Sequence, residues 1–156
     1  MSTINDSIEV KVPIRTAYDQ WTQFEEFPRF MDGVESVTQL DDTHLEWTAE
    51  IGGQRRTWRA EIMEQESDRV VAWRSTEGAR NAGTVSFERM DDDTTRVSLE
   101  LDIEPEGPLE TAGDVLGVVD RKVKGDLERF KEFIESRRVP TGAWRGSVDQ
   151  GSARRA

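Results

Sequence analysis

At 156 residues the chain is long enough to bury one sizeable core and too short for two cores and a linker. Its 21 Lys and Arg against 32 Asp and Glu leave a formal net charge of −11, a surface that repels phosphate backbones and anionic membranes, so nucleic acid is not an expected partner. The absence of cysteine excludes disulfides, thiolate nucleophiles and thiolate metal sites, and one histidine, His44, is a poor basis for a metal site, so neither metal nor cofactor is expected.

No apolar run approaches the roughly 20 residues that cross a bilayer. The opening Met1-Ser2-Thr3-Ile4-Asn5-Asp6 lacks the basic and apolar regions of a secretion signal, so the expected location is the cytoplasm. Ile8, Val10 and Val12 alternate with polar neighbours as a half-buried strand does, and Pro13 ends it. From Ile14 to Phe24 the apolar residues Ile14, Ala17, Tyr18, Trp21 and Phe24 step by three or four, which predicts a short amphipathic helix, and a further half-turn is expected around Pro28.

After Gly33 the period becomes two and stays so for about seventy residues. Val34 to Leu40 is a strand closed by Asp41-Asp42. Leu45, Trp47, Ala49 and Ile51 form the next, and Gly52-Gly53 marks a tight hairpin. Trp58, Ala60 and Ile62 define a third, and Val71, Trp73 and Ser75 a fourth, followed by a loop from Thr76 to Gly83. Val85 and Phe87, then Val97, Leu99, Leu101 and Ile103, complete an antiparallel meander with one buried face.

Pro105-Glu106-Gly107-Pro108 stops the sheet. Leu109, Ala112, Leu116, Val119, Val123, Leu127, Phe130 and Ile134 then lie on one stripe of a long helix, and the concave face of the meander is the only predicted surface long enough to cover it. Residues 1–140 are read as one domain. Residues 141–156 lose all periodicity and are expected to be a largely disordered tail, with Trp144 a late anchor.

Strand, two short helices, six strands and a long helix is the element order of the helix-grip fold, an α+β arrangement in which a seven-stranded curved antiparallel sheet wraps a C-terminal helix. The segments VPIRTAYDQWTQFEEFPRFMDGVESV, EIMEQESDRVVAWRSTEGARNAGTVSFERM and EGPLETAGDVLGVVDRKVKGDLERFKEFIESR resemble the START-like superfamily, in the polyketide cyclase/dehydrase branch related to coenzyme Q-binding proteins. That resemblance covers about residues 5 to 140 and implies a cavity between sheet and helix used for lipids, isoprenoids, hormones or polyketides.

If the alternation is read correctly, the sheet side of such a cavity is Trp47, Trp58, Ile62, Trp73, Ser75, Phe87, Leu99 and Leu101, with Ala60, Val85 and Val97 among them, and the helix side is Leu116, Val119, Val123 and Leu127. Three inward indoles make a wall suited to flat or greasy ligands; filling the core is the plainer use of the same residues. Gly113, Gly117 and Gly125 in the long helix point to a close approach, a kink or a gate.

Arg56, Arg80, Asn81 and Arg89 are rim candidates, with Tyr18 and Asp19 nearby. True aromatase/cyclases of the resembled family carry an arginine inside the cavity. Here Trp58 inward turns Arg59 outward and leaves Arg56 at the rim, so an interior without charge is expected. Glu61 and Glu64, three apart on a strand, fall on opposite faces and are rejected as a catalytic pair.

Three functions compete. The first is binding or transport of a small hydrophobic molecule. The second is a cyclase or dehydratase helped by Arg56, Arg80 and Arg89, and the third is a protein-interaction module with Phe27, Phe30, Met31 and Trp144 exposed as an apolar patch.

Overall fold

A computed structural model describes residues 2–51, 53–78, 80–104 and 112–155, with the side chains of Ser2, Ile51 and 112–116 outside the described part. Strand β1 (Ser2–Val10) leads through helix α1 (Ile14–Trp21) and a 3-10 turn (Phe24–Arg29) into β2 (Val34–Gln39), β3 (His44–Ile51), β4 (Gln54–Glu66), β5 (Val70–Gly78), β6 (Asn81–Asp91) and β7 (Thr94–Ile103). Helix α2 (Ala112–Arg137) follows, and then two short strands, β8 (Ser147–Asp149) and β9 (Ser152–Arg154). The ladder runs β1-β7-β6-β5-β4-β3-β2, antiparallel throughout, so the first strand closes onto the last strand of the meander.

The helix-grip arrangement is the one expected, with four differences in detail. The first predicted helix stops at Trp21, where the Thr22 hydroxyl donates to the Asp19 carbonyl at 2.6 Å, and the chain re-enters as the 3-10 turn. The predicted loop from Thr76 to Gly83 is mostly strand. β5 continues to Gly78 and β6 starts at Asn81, because an extra residue at Thr76 shifts the β4–β5 register and hides the alternation.

A second extra residue, Met63, shifts β4 the other way: Ala60 and Ile62 are buried before it and Gln65 after it. Glu61 and Glu64 therefore share the outer face, correcting the opposite faces expected from their spacing. They still form no pair of free carboxylates, since Arg74 donates to Glu61 at 3.3 Å and Arg69 to Glu64 at 2.5 Å.

The fourth difference is the tail. Residues expected to be disordered form the β8–β9 hairpin, and β8 pairs with Glu64 and Gln65 of β4 just beyond Glu61, the partner of His44 where β3 begins. A three-residue strand has no periodicity long enough to read. What holds the segment is polar: Arg145 donates to Asp19 at 2.6 Å and to Asp68 at 2.8 Å, and its guanidinium lies over the Tyr18 ring at 5.6 Å. Gln20 and Thr141 exchange two hydrogen bonds, and Val148 is buried.

The core lies between the concave sheet face and α2. The C-terminal half of α2 packs on aromatic rings, with Phe130 edge-on to Trp21 at 4.8 Å and against Phe30 at 5.2 Å. Phe27 and Phe30 are 3% and 1% exposed and Trp144 is half-buried, so the exposed apolar patch expected from Phe27, Phe30, Met31 and Trp144 does not exist. Gly117 and Gly125 face arginines of α2 itself, Arg121 and Arg129, so neither marks a close approach to the sheet; Gly113 is outside the described side chains. Among the described residues no helix is long and apolar enough to cross a membrane.

Removing one partner from a mostly buried charged cluster leaves the others unpaired. Arg145→Ala is therefore expected to lower the unfolding free energy by about 1–3 kcal/mol, and ending the chain at Arg138 by more. Both are read as a lower urea midpoint, and an unchanged midpoint in the truncated chain would show that the hairpin contributes nothing.

Candidate functional site

Between the upper half of the sheet and the N-terminal half of α2 lies a cavity of about 180 Å³. The 3-10 turn and the strands supply its wall because the pleat sends every second side chain inward. Trp47 and Trp58 are register partners on β3 and β4, and their indoles stack with ring centres 5.6 Å apart and planes 10° from parallel. Phe27 meets Trp47 at 5.5 Å and closes that end.

On the opposite side Trp73 lies flat over Gly83 of β6. A Cβ on Gly83 would sit 2.4 Å from the Trp73 ring, so only glycine leaves room for the indole there. The ring nitrogen of Trp73 donates to Asn81 Oδ1 at 3.2 Å, and the Asn81 backbone N–H donates to Ser75 Oγ at 3.0 Å. This chain of bonds fixes Trp73 as part of the wall.

The sequence reading placed Trp47, Trp58, Ile62, Trp73, Leu99, Leu101, Val119 and Val123 around one space, and all eight line this cavity, as do Leu127 and the rim candidates Arg56, Arg80 and Asn81. Arg59 and Arg74 face outward, paired with Glu46 and Glu61. Other candidates fall elsewhere. Ser75 stands behind Asn81 rather than on the wall. Phe87 packs edge-on to Tyr18 at 5.4 Å, at the far end of the core, because the strand runs past the cavity before reaching it.

Arg89 is bound to Asp92 in a surface turn. Ala60, Val85 and Val97 are buried but do not reach the cavity, and the side chain of Leu116 lies outside the described residues. Tyr18 and Asp19 face the C-terminal segment instead of the mouth; burial pushes the Tyr18 hydroxyl up from its ordinary range.

The expectation of a charge-free interior is wrong. Lys122 and Asp126 of α2 line the cavity along with Arg56, while Arg80 and Glu104 stand at its mouth, 3.7 Å apart. The Lys122 and Asp126 side chains are 18% and 14% exposed, with Nζ to Oδ2 at 3.8 Å. Asp126 Oδ1 accepts from Arg129 at 2.6 Å and from the Asp32 backbone N–H at 3.0 Å, which ties α2 to the turn before β2. Burial pushes the Asp126 carboxyl up, against the lowering effect of Lys122, Arg129 and Asp32.

That turn depends on Gly33, whose φ of +84° suits glycine and where a Cβ would meet the Glu50 carbonyl at 2.7 Å and Lys122 Nζ at 3.1 Å. The sequence held a signal for the charged pair. Lys122 and Asp126 lie four apart and each three past an apolar stripe residue, Val119 and Val123, so both flank the buried stripe. Trp21, Phe24, Phe27, Met31 and Val34 also line the cavity; the spacing showed Trp21 and Phe24 as the apolar face of a helix but not what that face covers, and the stretch from Phe27 to Met31 has no periodicity to read.

Residues 10–132 match the family model described as polyketide cyclase/dehydrase and lipid transport. A 17.2 kDa protein of Streptomyces lincolnensis is 52% identical over 149 residues, covering 95% of this chain and 99% of its own. Among solved structures, an aromatase/cyclase from Streptomyces sp. R1128 is similar at a TM-score of 0.75 and 16% identity, over 87% of this chain and 94% of that one. A START superfamily protein from Mycobacterium smegmatis is similar at 0.69 and 17%, over 86% and 95%. At those two identities the likeness is one of fold.

Gly83→Ala is expected to force the Trp73 indole off its seat, weakening the fold by about 1–3 kcal/mol as overpacked sites do and changing the near-ultraviolet circular dichroism of the indoles. A variant as stable as the parent, with the same aromatic spectrum, would show that the ring has room to shift.

Proposed function

The chain belongs to the polyketide cyclase/dehydrase and lipid transport family, and from that membership we propose that it binds and carries a small hydrophobic molecule in the cavity between sheet and α2. The observation that carries this reading is the wall itself: parallel stacked indoles, a third indole held flat by Asn81, and aliphatic side chains from β7 and α2. A concave, mostly apolar surface with a few placed polar groups is the general form of a small-molecule site. The volume exceeds the about 150 Å³ that admits a benzene-sized guest in an apolar cavity. Lipids, isoprenoids and polyketides all offer the apolar area that this wall buries, and flat conjugated polyketide-type skeletons gain further, because offset stacking on indole adds to area burial.

A second reading is favoured by one observation. Arg56, Lys122 and Asp126 give the cavity ionisable groups, which a cyclase or dehydratase needs to polarise a ketone and move a proton. Binding is the common first step of both. Turnover of a polyketide-like thioester, lost in Arg56→Leu or Asp126→Asn with ligand binding retained, would establish the enzyme.

The binding role is tested with N-phenyl-1-naphthylamine, a neutral apolar fluorophore. Saturable one-site enhancement with quenching of tryptophan emission is expected, and Val123→Trp, which fills the cavity from α2, should weaken it by at least tenfold, the loss of roughly 1.4 kcal/mol or more. Absence of saturable binding to the parent protein would overturn the reading.

A further inference from the structure

Building on the ligand-binding role above, we propose that the ligand carries an anionic oxygen group at one end of a flat apolar skeleton and that Lys122 receives it. Lys122 Nζ is buried and has no hydrogen-bond partner among the described residues. Its counter-charge among the described residues, Asp126 Oδ2, is 3.8 Å away, beyond hydrogen-bond reach. The other Asp126 oxygen is already taken by Arg129 and Asp32. The ammonium is thus balanced in charge and short of acceptors.

The stacked indoles share the deficit: Nε1 of Trp47 and Nε1 of Trp58 are buried and without hydrogen-bond partners among the described residues. All three atoms are donors, on three residues that line one cavity. A buried donor left unmet is unfavourable, and a site whose unmet groups are all donors is completed by a ligand that brings acceptors.

A carboxylate, sulfonate or ionised enol oxygen brings charge as well, and charge-assisted bonds are the stronger kind. A cationic head would meet Lys122 and Arg56 with like charge. Arg80, at the mouth, faces Glu104, and Arg56 donates to Gln54 at 3.2 Å, whereas Lys122 makes no hydrogen bond at all among the described residues.

The test uses two probes with one skeleton, 1-anilinonaphthalene-8-sulfonate and its neutral counterpart N-phenyl-1-naphthylamine, titrated into the full chain. The parent should prefer the sulfonate. Lys122→Met, which keeps the apolar stem, should weaken sulfonate binding about tenfold and leave the neutral probe within about twofold, and Lys122→Arg should restore most of the loss. Lys122→Gln gives the same comparison if the methionine variant does not fold.

Equal weakening of both probes, no preference in the parent, or selective loss of the sulfonate in Arg56→Met but not in Lys122→Met would overturn the assignment. Binding of the neutral probe without the sulfonate sinks the anionic ligand alone. Failure of both probes sinks the ligand-binding role together with it.

Discussion

Phe130, wholly buried and edge-on to Trp21, is the contact on which the architecture turns. It joins α2 to α1 and, through Phe30, to the turn that leads into the sheet. Aromatic pairs of this geometry add roughly 0.5–1.5 kcal/mol beyond the area they bury, and here several converge on one stretch of helix. With its C-terminal half fixed in this way, α2 is held across the sheet like a beam clamped at one end. The other half spans the cavity and does not fill it, because the residues it presents there are Val119, Lys122, Val123 and Asp126 rather than more rings.

Two kinds of glue follow the same division. Along the clamped half, Lys131 and Glu135 bind each other and reach the end of β1, where the Lys11 N–H donates to Glu135 at 2.7 Å and Lys131 donates to the Glu9 carbonyl at 3.2 Å. Burial raises the Glu135 carboxyl, but the bonds from Lys131 and Lys11 outweigh it and hold the group below its usual range. Along the spanning half, Asp126 binds the turn at Asp32, and its neighbour Lys122 is left with charge and no hydrogen bond among the described residues. The helix therefore changes from a structural element to a site wall within about two turns.

Much of this was legible in the sequence because periods of two and of three to four are long-range signals. Alternation placed Trp47, Trp58 and Trp73 inward and Arg59 and Arg74 outward, and the stripe from Val119 to Ile134 placed α2. What escaped lacked a period. The extra residues at Met63 and Thr76 each break the alternation once, which moved Glu64 to the other face and disguised the end of β5 as a loop. The wall supplied between α1 and β2, by the 3-10 turn and Met31, is irregular, and the β8–β9 hairpin is held by Arg145 rather than by a pattern of apolar residues. Lys122 and Asp126 were visible by spacing but hidden by type, since charged residues beside an apolar stripe ordinarily belong to the solvent.

The Arg145 clamp bears on the order in which the molecule can assemble as it is synthesised. Its bond to Asp19 joins residues 126 positions apart, and the Gln20–Thr141 bonds span 121. The first helix thus waits for the segment after α2 to leave the ribosome before its polar side is satisfied. Pairings of such sequence separation carry a loop-closure cost that slows folding, so α1 and the cavity wall beside it should be late to settle, after the meander has already formed.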